Sequence, residues 1–245
     1  MPMRSEILGG LSCKTVSRLS PDTSPRFFVV LCHGFGAPGT DLVPIGDELL
    51  DLLPAEHIAV EVVFPAAPLS LDDEGLHGGR AWWPIDMNEL LTAVAMGNRR
   101  ILRDQRPAGM DQARDLLLSL LNELRARHQL PHDRFVIGGF SQGAMLAVDA
   151  ALHWSQPPGG LCLWSGTLIS EATWRTKGAS LRGMPVVQSH GRQDPILPFS
   201  AALSLRDFLT EFGANVEFLE FNGPHTIPME GLQRLAYLVA RLTAE

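Results

Sequence analysis

The chain has 245 residues, of which 45% are hydrophobic and 19% charged, an ordinary globular balance that excludes disorder and collagen-like repeats as global descriptions. Its formal net charge is -7, from 20 basic and 27 acidic residues without a dense lysine–arginine run, which argues against nucleic acid or an anionic membrane as partner. No apolar stretch approaches the ~18–20 residues of a membrane span, so no transmembrane anchor is expected.

In chain order, Ile7-Leu8-Gly9-Gly10-Leu11 is too short and too glycine-rich for a secretion-signal core. Gly10-Leu11-Ser12-Cys13 only faintly resembles a lipoprotein cleavage site, because Gly10 stands where a leucine is usual. The three cysteines, Cys13, Cys32 and Cys162, cannot all pair with one another. Cys32 and Cys162 lie in apolar strand-like runs, so buried thiols and a reducing, cytoplasmic location are expected.

Phe27 to Cys32 is a continuous β-branched and aromatic run, as in a strand buried on both faces. Further strands are expected at Ala59–Phe64, Phe135–Ile137, Leu161–Trp164, Pro185–Gln188 and Val216–Phe221. Helical periodicity fills the intervals. In Asp111–His128, Ala113, Leu117, Leu120 and Leu124 share a face, with acidic residues early and Arg125, Arg127 and His128 late. Ser200–Phe212 repeats the pattern before Gly213, and Gly231–Leu242 closes the chain. This alternation predicts an α/β fold with a mostly parallel sheet, helices on both faces, and one domain over residues 1–245.

Residues 66–109 break the alternation. They hold Asp72-Asp73-Glu74, Gly78-Gly79, Trp82-Trp83-Pro84 and a helical patch from Asn88 to Met96. A connection this long without strand character reads as a cap or pocket wall, with a structural excursion over the sheet edge as the alternative. Arg99, Arg100, Arg103 and Arg106 read as a solvated face.

Gly139-Phe140-Ser141-Gln142-Gly143 directly follows a strand and directly precedes the helical run Ala144–Val148. In that context G-x-S-x-G marks a sharp turn that lifts a serine hydroxyl clear of the sheet, with helix amides behind it to favour negative charge. Serine needs a base to become a nucleophile. Asp194 and His225 each follow a strand and lie 53 and a further 31 residues downstream, room for a strand–helix unit each. The rival readings are an Asx turn for Asp194 and an ordinary loop histidine for His225. Two donors are needed for a developing oxyanion. The N–H of Gln142 is one. The other is assigned to Phe35, in the glycine-rich turn His33-Gly34-Phe35-Gly36; His33 itself precedes the turn and reads as structural. Trp82, Trp83 and Leu168 are candidate pocket residues. No His-x-His or Cys-x-x-Cys spacing suggests a metal.

These blocks resemble the phospholipase/carboxylesterase group of α/β-hydrolases, which includes acyl-protein thioesterases and small bacterial carboxylesterases. The resemblance runs over roughly residues 27–242. It rests on Leu31-Cys32-His33-Gly34-Phe35-Gly36, Gly138-Gly139-Phe140-Ser141-Gln142-Gly143-Ala144, Gly191-Arg192-Gln193-Asp194-Pro195-Ile196-Leu197-Pro198, and His225. It implies an α/β-hydrolase fold, a Ser141–Asp194–His225 triad and backbone donors at Phe35 and Gln142. The activity implied is that of a cofactor-free serine carboxylesterase, monomeric or homodimeric. Its substrates would be small-molecule or lipid-like esters of short to medium chain, with thioesters left open. Alternatives are a lysophospholipase or acyl-protein thioesterase, and a non-catalytic binding protein on the same fold. The chain departs from the group at Trp82-Trp83-Pro84-Ile85-Asp86, where group members carry a compact aromatic-aromatic-Asp stretch.

Overall fold

A computed structural model describes residues 3–20, 22–54, 59–96, 103–104 and 106–244. Its strands are β1 (Arg4–Leu8), β2 (Leu11–Ser17), β3 (Phe27–Cys32), β4 (Val60–Pro65), β5 (Leu69–Ser70), β6 (Arg80–Ala81), β7 (Phe135–Phe140), β8 (Gly160–Trp164), β9 (Pro185–Gly191) and β10 (Asn215–Phe221). The α-helices are α1 (Val43–Leu52), α2 (Met87–Ala95), α3 (Met110–His128), α4 (Gln142–His153), α5 (Glu171–Lys177), α6 (Phe199–Glu211) and α7 (Met229–Ala244). Each strand and helix expected from periodicity is present, Phe27–Cys32 with both ends as expected and the others with ends shifted by up to five residues. Eight strands form one sheet in the order β1-β2-β4-β3-β7-β8-β9-β10. From β4 to β10 every neighbouring pair is parallel.

The sheet has apolar layers on both sides because its strands carry apolar residues at odd and even positions alike. Along β3, Phe28, Val30 and Cys32 pack with α3 and α4 through Leu117, Leu120, Leu146 and Val148. Phe27, Val29 and Leu31 pack on the other side with Leu49 and Leu50 of α1 and Leu235 and Val239 of α7. The period of two along the strand divides one hydrophobic run between two cores. This is the α/β-hydrolase arrangement expected from the sequence, with helices on both faces.

The N-terminal hairpin is an addition to that expectation. β1 and β2 pair antiparallel, and β2 continues antiparallel onto β4. The turn is Gly9-Gly10, with φ of +56° and +86°. Positive φ at both central residues is the geometry that lets a two-residue turn follow the strand twist. A side chain at Gly9 would also meet the Leu120 backbone nitrogen at 2.1 Å, so the turn packs directly on α3. Cys13, the residue that a lipoprotein site would need exposed, is buried within β2, and burial pushes its thiol up to about 12. Cys32 and Cys162 are likewise buried free thiols.

Residues 66–109 hold more structure than their sequence suggests. β5 and β6 form a small antiparallel pair, which corrects the expectation that strands are absent there. α2 starts where the Asp86 side chain accepts hydrogen bonds from the Asn88 and Glu89 amides at 2.9 and 3.0 Å. The arginine cluster also differs from expectation. Arg99 and Arg100 lie outside the described residues. Arg103 pairs with Glu171, and Arg106 donates to Asp149 at 3.1 Å and to Asp111. Asp149 is fully buried and also accepts the Trp174 indole N–H at 2.7 Å. A buried carboxylate is tolerated only with such partners, so Arg106 is a structural counter-ion and not a solvated charge. No helix among the described residues is long and apolar enough to cross a membrane.

Candidate active site

Ser141 sits in the turn between β7 and α4 with φ 55° and ψ -117°. That positive φ is strained for a residue with a side chain, and the surrounding backbone enforces it. The Ser141 N–H donates to Trp164 O at 2.8 Å, tying the turn to β8, while Ser141 O accepts from Ala144 N at 3.0 Å. A β-carbon at Gly139 or Gly143 would lie 2.2 or 2.1 Å from Cys32 O. Only glycine at both places lets the turn press against β3.

Asp194 follows β9, and its side chain is closed off from solvent. Its Oδ1 accepts the Ile196 and Leu197 amides at 2.9 and 2.8 Å, and its Oδ2 lies 2.6 Å from His225 Nδ1. The Asx turn and the histidine partnership are therefore both real, one on each carboxylate oxygen. Burial would raise the Asp194 pKa, but hydrogen bonds from His190, His225 and the Leu197 amide outweigh it and hold the carboxyl well below its usual range. An ionised carboxylate only accepts, so His225 Nδ1 carries a proton and Nε2 of the neutral ring is bare. The ring is further held against Phe140, with centroids 4.6 Å apart.

His190 was not singled out by sequence. It is fully buried on β9, and its Nε2 lies 2.8 Å from Leu197 O and 3.2 Å from Asp194 Oδ2. Both neighbours are acceptors, so Nε2–H donates and steadies the same carboxylate. The available signal was its place at the end of a strand, four residues before Asp194. His33 is structural, as its position before the turn suggested. Its Nε2 accepts the Ala67 amide at 2.9 Å and its Nδ1 lies 2.8 Å from Gly34 O. Burial lowers its pKa, and neither nitrogen is free to take a proton from Ser141.

Ser141 and His225 line one cavity of about 380 Å³ together with Gly34, Phe35, Phe140 and Gln142. The amides of Phe35 and Gln142 donate to no protein acceptor among the described residues. Gly34 lies against the serine turn, where an added β-carbon would be 3.4 Å from Ser141 Cβ. Trp83, Ile85, Leu90, Met145, Ile169 and Leu197 supply apolar wall, and the charged Asp86, Glu89 and Arg106 also line the cavity. Of the three pocket residues expected from sequence, Trp83 lines this wall. Trp82 and Leu168 do not; both are buried in the core. Trp82 is turned away because its indole N–H reaches His33 O at 2.9 Å, and the adjacent Ile169 takes the place assigned to Leu168.

Comparison with known proteins gives the family and the fold. The sequence profile of the phospholipase/carboxylesterase family matches residues 15–242. The chain belongs to that family. An acyl-protein thioesterase 1 of Eremothecium gossypii is 29% identical over 243 residues, covering 96% of this chain and 97% of the relative. A probable carboxylesterase of Oryza sativa subsp. japonica is 28% identical over 183 residues, covering 73% of each. Among solved structures, esterase PE8 superposes with a TM-score of 0.75 at 23% identity, over 93% of this chain and 97% of that one. A carboxylesterase from Mesorhizobium loti gives 0.72 at 16% identity, over 98% of each chain. At those identities the structures establish the α/β-hydrolase fold. Among the described residues no cluster of His, Cys, Asp and Glu could hold a metal ion. The cavity of this family member brings together the Ser141 hydroxyl, the His225 imidazole and the amides of Phe35 and Gln142.

Proposed function

We propose that the protein is a serine hydrolase that cleaves carboxylic esters through an acyl-enzyme on Ser141. The observation that carries this reading is the 2.6 Å hydrogen bond from His225 Nδ1 to the buried Asp194 carboxylate, on the cavity that Ser141 also lines. In the proposed mechanism His225 Nε2 takes the Ser141 proton as the hydroxyl attacks the carbonyl. Asp194 holds the ring's orientation and stabilises the imidazolium that forms. The Phe35 and Gln142 amides bind the tetrahedral oxyanion. His225 then protonates the departing alkoxide, and water, activated by the same nitrogen, releases the acid.

The wall formed by Trp83, Leu90 and Ile169 favours acyl groups of short to medium length. Each buried methylene is worth about 0.8 kcal/mol, and the gain ends where the chain meets the wall or emerges into water. A thioester is the second reading. It is favoured by the near full-length similarity to an acyl-protein thioesterase, and the same attack and oxyanion serve it.

The test is a fluorophosphonate with mass mapping, alongside matched oxygen and thio esters. Labelling at Ser141, and loss of hydrolysis to near background in Ser141→Ala with unchanged circular dichroism, are expected. A tenth of the activity surviving in folded Ser141→Ala refutes the proposal. The ratio of kcat/KM for the paired esters separates the two substrate classes.

A further inference from the structure

We infer that Trp82 is a positioning residue that braces the two oxyanion donors against each other, with the Gln142 side chain as its anchor; the inference rests on the hydrolase reading of the site. Trp82 and Gln142 are each 1% exposed. The Trp82 backbone N–H donates to Gln142 Oε1 at 2.9 Å, and Gln142 Nε2 donates to Trp83 O at 2.8 Å. From the same residue the indole Nε1–H donates to His33 O at 2.9 Å. One tryptophan thus spans the residue after the nucleophile and the loop that carries the Phe35 amide.

The loop is tied a second time on the far side of Phe35. Gly36 N donates to Arg80 O at 2.9 Å, and Arg80 N donates to Ala37 O at 3.0 Å. Phe35 therefore lies between two ties to a single short segment, Arg80 to Trp82, while its own N–H stays unengaged. That segment is in turn fastened to α4 through the Gln142 amide. Trp82 makes no part of the cavity lining, so it reaches the site through these hydrogen bonds and through the packing of its ring on His33, with centroids 5.5 Å apart.

Two amides aimed at one oxygen work only at a fixed spacing, because the oxyanion forms at a single point and small displacements forfeit large factors in rate. Ground-state binding rests on the apolar side chains of Trp83, Ile169 and Leu197, and the brace meets this group only at the backbone oxygen of Trp83. Loosening the brace should therefore weaken transition-state binding and leave substrate binding nearly intact.

Trp82→Phe keeps an aromatic ring in place, removes the indole donor and leaves a small void whose cost is read separately in the melting temperature. It is compared with wild type using a short p-nitrophenyl ester, a trifluoromethyl ketone of the same acyl length, and amide hydrogen exchange over residues 33–37. We expect kcat to fall at least about tenfold with KM within about twofold, on the scale of oxyanion-hole losses. The ketone, whose hemiketal oxygen occupies the hole, should lose affinity by the same factor, and exchange over residues 33–37 should rise. A folded variant with wild-type kcat and ketone affinity, changed only in melting temperature, overturns the inference. If Trp82→Phe does not fold, Gln142→Glu is read in the same way. It keeps the acceptor for Trp82 N–H and loses the donor to Trp83 O. If wild type hydrolyses no ester and Ser141 takes no label, the hydrolase reading fails. Exchange over residues 33–37 in the variant then still decides the brace, and unchanged exchange refutes it.

Discussion

Replacing Asp194 by asparagine should damage catalysis and stability together, and the hydrogen bonds around the carboxylate show why. Oδ1 accepts two backbone amides at 2.9 and 2.8 Å, and Oδ2 faces His225 Nδ1 at 2.6 Å and His190 Nε2 at 3.2 Å. An amide has one acceptor atom for these four donors. Keeping both backbone contacts turns its NH2 group towards the two histidines. His225 must then accept at Nδ1, which moves its proton to Nε2, the nitrogen that has to be bare to deprotonate Ser141. A wrong tautomer of this kind costs about 10⁴ in kcat, or roughly 5 kcal/mol of transition-state stabilisation. His190 cannot adapt in the same way, because its Nε2–H is also the donor to Leu197 O at 2.8 Å. A buried polar group left mismatched costs about 1–3 kcal/mol, which in a chain of this size lowers Tm by roughly 2–12 °C.

The stability loss should depend on pH with a definite sign. The folded-state pKa of Asp194 is depressed, so its charge stabilises the fold above the unfolded value of about 3.9 and ceases to do so as pH falls through the folded value. The stability gap between wild type and Asp194→Asn should be widest at neutral pH and narrow below about pH 4. Denaturant melts at several pH values, with kcat on a short p-nitrophenyl ester, measure both effects. A folded variant retaining a tenth of wild-type kcat, or melting at the wild-type temperature at pH 7, would refute the reasoning.

Two further outcomes follow from other parts of the site. Trp83→Ala should move the optimum of kcat/KM towards longer acyl esters, because Trp83 is 2% exposed and forms cavity wall; it should also cost about 3–5 kcal/mol of stability. An unshifted optimum in the folded variant would remove Trp83 from the role of length gauge. Gly143→Ala should give little or no folded protein, since its β-carbon would lie 2.1 Å from Cys32 O and 2.7 Å from His33 O, both backbone atoms that cannot swing aside. A soluble Gly143→Ala protein with wild-type Tm would show that the turn is looser than this packing implies.

Much of the protein was legible in its sequence because the signals are local. Apolar runs such as Phe27–Cys32 are strands wherever both faces are covered, and Gly139 to Gly143 announces a serine turn because strand, glycines and helix are contiguous. Asp194 and His225 could be named because each follows a strand at the edge where such sheets build their sites. The hairpin β1–β2 went unread although Gly9-Gly10 marked its turn. Its first strand is mostly exposed, with only Leu8 fully buried, and so lacks a core-facing stripe.

Tertiary structure alone decided the rest. Trp82 and Trp83 are identical neighbours, and nothing local says that one becomes a strut and the other a wall. The acceptor at His33 O, 49 residues away in sequence, makes that choice. The same holds for Leu168 and Ile169, two adjacent apolar side chains of equal size of which only Ile169 lines the cavity. Arg106 became a counter-ion because folding brings it to Asp149, a carboxylate 43 residues away that its own helix buries. His190 acquired its role from a turn that returns Asp194 and Leu197 O to its ring. Sequence periodicity fixes which residues leave water, because that depends on spacing along one element. Which buried polar atom meets which partner depends on several elements packing at once, and so is set only when the chain has folded.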